Sequence, residues 1–509
     1  MDPAAIERAT AETLEALRKA ESAGILVSTG IQGVDLSGLV AQVPVNVPAR
    51  NNTSAFPRVI AGEGSQTATW RALLNINSKQ TDAAVGFDYA GTLASVDEQD
   101  CFAPYRVLAK GGRVTLDAVA VARNFADALA ADELQTLNQL FIAQDLHIIN
   151  SQGWSLGTSA ELGKPTLVQK ATGGTVGEEE IEVKFVARSG ADYFTVEKEA
   201  SPKAGGSLVS EGKILKVTEG AGAASVTASV KAVKGAVAYD WYVGKKAGKL
   251  YYYTTTTVAS VLITKVPTGA EPLPTTLPLL SSATPYASTE AKEAATTKDT
   301  SYSENWYNGV IASILGDYGT TGPVTPGKGT SSGATFIDYG GKALEGAGAS
   351  VYLLDEINDQ LWASTQQTPT AYMVNSLQAD EISKLILDGT GATTFLPPTD
   401  ADARTNLAGG GYIGRYINKA AGGVPVQIEV HPRVAPGTII ARTDRVPYPG
   451  SNIGSVYEVR CQYDTMRFDY AANRGTSIGE GPRYDYEIRS VETLINRAPA
   501  AQAVACNIA

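Results

Sequence analysis

Thr67-Ala-Thr-Trp70-Arg71-Ala-Leu73-Leu-Asn75 and Phe102-Ala-Pro-Tyr105-Arg106-Val107-Leu108 frame a polar, small-residue span. That span, Asn75 to Asp100, holds Lys79, Asp82, Gly86 and Gly91. Two extended legs around it predict a long two-stranded hairpin within residues 58–113. Pro104 cannot donate to a ladder, so the second leg is expected at an edge or with a bulge.

Upstream, residues 3–23 have Pro3 in the first turn, Ile6, Leu14 and Leu17 on one broad face, and Gly24 to stop them. This is a short amphipathic helix, packed on its own domain or used as a docking element. Residues 25–57 have no helical period and contain Pro44, Pro48 and Pro57. They read as an extended arm whose apolar Leu36, Leu39, Val40, Val43, Val45 and Val47 would be covered by a neighbouring subunit.

Downstream, Val119, Phe125, Leu129, Leu134, Leu137, Phe141 and Leu146 recur at helical spacing over 115–149. Thr115 or Asp117 would cap this helix, a break at Ala130–Asp132 would make it two, and Asn150 and Gly153 would end it. Residues 163–268 change to alternation: Ile181-Glu-Val183-Lys-Phe185-Val, Ser225–Val230, Gly235–Gly244 around Trp241, and Val258–Ile263. Short strands with glycine-rich turns predict an all-β sandwich. Its turn-forming boundaries, Gly163-Lys-Pro165 and Pro267-Thr-Gly269, predict a self-contained insert. Replacing it with a linker is then expected to leave the rest folded. Residues 269–335 are rich in Pro, Thr, Ser, Ala and Gly around a short helix at Ser303–Leu315. Beyond them come helix Val351–Ser364, strand Ala371–Val374, helix Leu377–Leu387, and a β-rich return over 424–495.

Composition narrows the function. The chain has 509 residues, which suggests two to four lobes. Hydrophobic residues at 43 % exclude disorder throughout. Charged residues are 19 %, below the roughly 25 % of average chains, and glycine numbers 51. So weakly charged a surface suits a chain whose exterior is covered by other copies. The net charge of −11 and the lack of a basic stripe argue against sequence-reading nucleic-acid binding. No apolar run reaches a membrane span, so no membrane partner is expected. Three scattered cysteines, Cys101, Cys461 and Cys506, argue for a reducing cytoplasm during synthesis. Only His147 and His431 offer imidazole, which makes hydrolase or zinc chemistry a poor fit. No enzyme activity, cofactor or metal is expected.

Individual motifs agree. Gly409-Gly-Gly411-Tyr-Ile-Gly414 has the dinucleotide spacing but no preceding strand, and reads as a turn. Gly322–Gly329 resembles a phosphate loop, yet two prolines remove its donors. The acidic groups Asp97-Glu98, Glu178–Glu180, Asp355-Glu356-Asp359 and Asp380-Glu381 read as solvated faces. Trp241 reads as a core residue rather than a sugar platform. Tyr251-Tyr-Tyr253 must face both sides of a strand.

The order of arm, hairpin, long helix, α/β lobe and β return resembles the major capsid proteins of tailed bacteriophages of the Hong Kong 97 type. Local sequences carry the resemblance. Phe56-Pro57-Arg58-Val59 with Trp70-Arg71-Ala and Asn75-Ile-Asn77 looks like the start of the family's extended loop. Gly235–Tyr242 resembles the immunoglobulin-like sandwich that some members insert. Pro425–Pro432, Pro436-Gly437-Thr438, Asp444–Pro449, Arg483–Tyr486 and Val491–Leu494 resemble the family's peripheral domain and ending.

The resemblance implies an α+β capsid fold divided as follows: helix and arm at 1–57, extended loop at 58–113, and spine helix of the peripheral domain at 114–162. An inserted sandwich at 163–268 would follow, then a linker and the start of the axial domain at 269–345. The axial domain at 346–423 and the peripheral return at 424–509 would complete it. It implies a structural protein that assembles into an icosahedral shell around double-stranded DNA. Its partners would be copies of itself as pentamers and hexamers, a portal, and separate scaffolding and decoration proteins. DNA would lie near it without specific contact. It would be made in the host bacterial cytoplasm and reside in the virion. Only about 24 residues precede the arm, so a separate scaffold is expected. Trp70, Arg71, Asn75 and Lys79 are the candidate subunit contacts, and Lys79 is also the candidate for a covalent link near the loop tip. The competing readings are another surface or tail protein with an adhesion sandwich, and a carboxylate-based carbohydrate-active enzyme.

Overall fold

A computed structural model describes residues 56–60, 65–75, 97–115, 119, 128–195, 206–218, 220, 222–246, 250–267, 299–319, 324–327, 334–347, 350–387, 413–446, 454–470 and 483–509. The expected helix at 3–23, the arm up to residue 55, Lys79, the linker at 270–298 and Gly409–Gly411 lie outside these residues.

The spine is a four-stranded sheet in the order β1 (Arg58–Ile60), β19 (Tyr457–Tyr470), β20 (Arg483–Asn496), β4 (Arg106–Thr115). Helix α1 (Ala128–Asn150) lies on one face and buries Leu140, Ile148 and Ile149. It runs unbroken through 130–132. Thr115 does not cap a helix. It ends β4, paired with Arg483. Gly112 in β4 sits opposite Tyr486, and any Cβ there would enter the tyrosine ring. The ring in turn reaches α1, where its hydroxyl donates to Asp132 Oδ2 at 2.7 Å.

The hairpin pairs β2 (Thr67–Asn75) with β3 (Asp97–Pro104), Arg71 opposite Asp100. The second leg is therefore shifted: it starts at Asp97, inside the span read as polar tip, and ends at Pro104 rather than running on to Leu108. After Pro104 the chain turns at Tyr105 into β4, because a residue with no N–H suits the end of a ladder.

Two further sheets occupy residues 166–263. One has the order β5 (Thr166–Lys170), β8 (Ser225–Ser229), β11 (Ser260–Ile263), with β8 central. The other runs β10 (Leu250–Thr256), β9 (Ala236–Lys245), β6 (Glu180–Ser189), β7 (Lys213–Lys216). Alternation places Ile181, Val183, Phe185, Trp241 and Val243 of one against Val226, Ala228, Val261 and Ile263 of the other. Trp241 is fully buried and donates to Thr256 Oγ1 at 2.8 Å, so it is a core residue. Two short helices flank this lobe, α2 (Ser159–Leu162) before β5 and α3 (Gly190–Thr195) directly after β6.

One expectation is corrected here. The lobe's core is not separate: its cluster is continuous with Leu140, Ile149, Trp154 and Leu156 of the spine. Gly235 (φ +84°) packs on Trp154 and Leu156, and Asn507 near the C-terminus accepts the Ala259 N–H at 2.7 Å.

The remaining lobe centres on a six-stranded sheet in the order β12 (Thr335–Lys342), β21 (Ala503–Ile508), β18 (Ile439–Arg442), β15 (Ala371–Val374), β17 (Val424–Val430), β16 (Arg415–Asn418). Helices α5 (Tyr352–Thr365) and α6 (Ser376–Leu387) bury Leu353, Leu354, Ile357, Leu361, Ile382 and Ile386 with one face of it. A short helix, α4 (Val310–Leu315), is shorter than its sequence suggests, starting only after Gly309. Gly309 lies against the backbone of residues 147–149, where a Cβ would not fit. A small β13 (Gly346–Ala347) and β14 (Ser350–Val351) hairpin precedes α5. The other face of the sheet presents Met373, Ile440 and Val504, aligned across three strands, to the spine's core. Being covered on both faces explains why Ile439–Arg442 and Ala503–Ile508 are buried at every position. The boundary expected at 423/424 therefore falls between β16 and β17, which pair with each other. Residues 424–509 divide between two sheets, with β17, β18 and β21 in this one and β19 and β20 in the spine.

Candidate assembly surfaces

The hairpin is fixed along one face. Trp70 is 8 % exposed, packs with Ala68, Ala72, Cys101, Ala103, Tyr318 and Ile495, and donates from Nε1 to Asn496 O at 3.0 Å. The Leu73 N–H reaches Arg497 O at 2.8 Å, and Arg460 Nη1 reaches Thr69 O at 2.9 Å. A short segment at Val324 adds backbone bonds to Asp100 and Phe102. Trp70 is thus an anchor within its own subunit and not a contact offered to another. An alternating strand buries every second residue, and sequence alone does not say which set.

The opposite set faces out. Arg71 has a side chain 71 % exposed, and its ion pairs with Asp100 (3.0 Å) and Glu98 (3.5 Å) are open to water. Exposed pairs of this kind contribute about 0–1 kcal/mol, so they yield easily to another partner. Asn75 ends β2, half-buried, opposite Asp97. Lys79 lies outside the described residues.

The spine sheet has a second open face, which the sequence reading did not single out. Directly opposed residues share a face. Met466 opposes Arg489, Phe468 opposes Glu487, and Tyr470 opposes Asp485. Arg467 and Asp469 oppose Ile488 and Tyr486 on the α1 side, where Arg467 pairs with Glu133. Met466, Phe468 and Tyr470 accordingly face away from α1, and each is more than a third exposed. The signal was present as Met-Arg-Phe-Asp-Tyr alternation. What was missing was knowledge that α1 covers only one side.

Rigidity at the hairpin's foot comes from a buried polar junction. Arg58 of β1 donates to Glu492 Oε2 and Asp464 Oδ1, each at 2.8 Å. Tyr307 donates to Glu492 Oε1 at 3.1 Å, and Gln144 of α1 to Ser490 Oγ at 2.8 Å. Burial pushes the Glu492 carboxyl above the usual range, and Arg58 opposes that shift. The junction ties β1, β19, β20 and α1 together.

The imidazoles are structural. His431 Nε2 and Asp145 Oδ2 are 2.8 Å apart, both buried, and the Arg433 N–H donates to His431 Nδ1 at 3.0 Å. His147 stacks near Trp306, with ring centroids 5.8 Å apart. Burial, helped by Lys110, lowers its pKa to about 4. In the unfolded chain this ring takes a proton near pH 6.5, whereas the folded ring resists it. Stability is therefore full above about pH 6.5 and falls as pH drops toward 4, by about 3 kcal/mol. Urea unfolding of wild type and His147→Phe at pH 7 and pH 4.5 checks this. The variant should lose less stability on acidification, and equal losses would contradict the assignment.

Among the described residues no three metal-ligating side chains gather at one point. No helix among them is long and apolar enough to cross a membrane. Of the phosphate-loop-like stretch residues 324–327 are described, and there Gly327 and Asp317 exchange backbone hydrogen bonds in an isolated bridge. In the tyrosine run, Tyr252 is buried and Tyr251 and Tyr253 are half-buried, as alternation requires.

No protein-family model and no curated protein matches the sequence. Solved structures do align along nearly all of it. The capsid of the native GTA particle aligns with a TM-score of 0.39 and 8 % identity, over 94 % of this chain and 97 % of that one. The holo-SrpI encapsulin complex from Synechococcus elongatus PCC 7942 gives 0.37 and 9 %, over 94 % and 96 %. Mycobacterium phage Bobi gives 0.34 and 9 %, over 94 % and 96 %. At these scores and identities the likeness by itself argues nothing about activity. What the chain is similar to, over more than nine tenths of its length, is the subunit of capsids and of an encapsulin complex.

Proposed function

We propose that this chain is a major capsid protein of the Hong Kong 97 type, a subunit of the icosahedral shell around the double-stranded DNA of a tailed phage. The observation that carries this reading is the two-faced hairpin. One face is locked to residues 495–497, while the other presents Thr69, Arg71 and Asp100 outward on a frame stiffened by the Arg58–Glu492 junction. The outward face buries little within the subunit, so on this reading it is covered by a neighbouring subunit. Closed symmetry multiplies each modest contact.

On this reading the hairpin is the extended loop, and α1 with the spine sheet is the peripheral domain. The six-stranded sheet with α5 and α6 is the axial domain that surrounds five- and six-fold axes. The two sheets of 166–263 are an immunoglobulin-like sandwich inserted in that fold and placed on the outer face. Their strand order supports this. Consecutive strands β5 and β6 lie in opposite sheets, as do β8 and β9, while β5 pairs β8 and β6 pairs β9. Such crossed pairs between two packed antiparallel sheets fit a sandwich. Copies in pentamers and hexamers, a portal, a scaffold and decoration proteins are the expected partners.

Electron microscopy of the purified protein tests the proposal. Closed shells are expected, and tubes, flat sheets or lone monomers would overturn it. Arg71→Ala should lower shell yield several-fold while changing the stability of the subunit by less than about 1 kcal/mol. Unchanged yield would remove Arg71 from the contact.

A further inference from the structure

The two-sheet lobe meets the spine through α3, which follows β6 without a break. Gly190 at its start lies against the Asn150 side chain at the end of α1, with no room for a Cβ. Beside it is a pocket of buried charge. Arg188 of β6 donates from Nε and Nη2 to Asp240 Oδ2 of β9, at 2.8 and 2.6 Å. Thr255 of β10 donates to the other Asp240 oxygen. Asp192 of α3 is 5 % exposed, and Ser189 Oγ donates to its Oδ2 at 3.2 Å. Asp299 reaches the same pocket from the segment at 299–301, held by Ser155 Oγ and by the N–H and Oγ of Ser301.

The other facing groups are Tyr242 of β9 and Tyr252 of β10, which interact with Arg188. Arg433 lies over the Phe194 ring of α3 at 5.9 Å. From α1 the uncharged Asn150 side chain lies against Gly190 at the start of α3. Asp192 thus lies between the Arg188 guanidinium, whose two described bonds go to Asp240, and the carboxylate of Asp299. Burial, with Asp299 and Asp240 adding to it against Arg188 and Ser189, raises the Asp192 pKa to about 7.

We propose that this pocket is a pH-sensitive joint: protonated Asp192 holds α3 closed between the lobe and α1, and its ionisation loosens α3. The sign follows from linkage. An opened Asp192 ionises near 3.8, so closure is fully supported below that pH and is lost as pH rises through about 7. The idea does not depend on the assembly reading.

Hydrogen exchange on the full-length protein tests it, with protection factors corrected for intrinsic rates at pH 6.0 and pH 8.5. In wild type the amides of 190–195 should lose protection at least tenfold at the higher pH, while those of α5 stay unchanged. Asp192→Asn keeps the shape without the charge and should hold its protection at both. Asp299→Asn removes a like charge that holds the Asp192 pKa up, so Asp192 ionises earlier and the midpoint of opening should move to lower pH. Equal wild-type protection at both pH values, or the same fall in Asp192→Asn, would overturn the proposal.

Discussion

Replacing residues 163–268 with a short Gly-Ser linker is expected to leave a chain that is insoluble or lacks a cooperative melt. The turn-rich boundaries had suggested the opposite. The reason is that the lobe completes cores belonging to the rest of the chain. Trp154 and Leu156, at 6 % and 2 % exposure, pack on its Gly235. Uncovering two such side chains costs about 1.5–3 kcal/mol each. Polar links are lost as well: Asn507 Oδ1 accepts the Ala259 N–H, and Asp338 Oδ2 accepts the Ala232 N–H at 3.0 Å. Asn507 sits at φ +62°, a conformation that asparagine tolerates better than most residues, and Asp338 holds its Nδ2 at 2.6 Å. Further contacts run from Leu140 and Ile149 into the shared cluster. The sum approaches the whole stability of a typical fold, about 5–15 kcal/mol. Circular dichroism melting with analytical ultracentrifugation decides it. A cooperative melt, or closed shells from the deleted chain, would restore the picture of an independent insert.

Arg188→Met should cost about 3–5 kcal/mol, because it strands the buried Asp240 carboxylate without its guanidinium. Both side chains are almost fully buried, at 5 % and 0 % exposure. The penalty is mostly the uncompensated carboxylate rather than the value of the pair. The double variant Arg188→Met/Asp240→Leu should therefore recover much of the loss. Urea unfolding of the two variants beside wild type measures both numbers. A single variant within 1 kcal/mol of wild type would mean that water reaches Asp240.

Much of the architecture was legible in local pattern. The alternation of Ile181, Val183 and Phe185, the span Ala236–Lys245 around Trp241, and the helices at 352–365 and 376–387 emerge close to their expected limits. Strands β5 and β7 were not anticipated. They are short edges whose lysines and exposed positions blur the period of two. Of the candidate contacts, Arg71 keeps an outward position and Trp70 turns inward, because the same alternation fits either face until a neighbour fixes one.

By itself, then, the sequence determined which segments extend and which coil, through side-chain period, proline and glycine. Only the tertiary structure decided the pairings between distant segments. Val504 aligns with Ile440 and Met373, and the last strand leaves the spine for the six-stranded sheet, because buried strands of similar apolar character carry no local label for their partners. It also decided that the lobe at 166–263 shares its core with the spine, since shared burial depends on surfaces brought together from residues far apart in the chain.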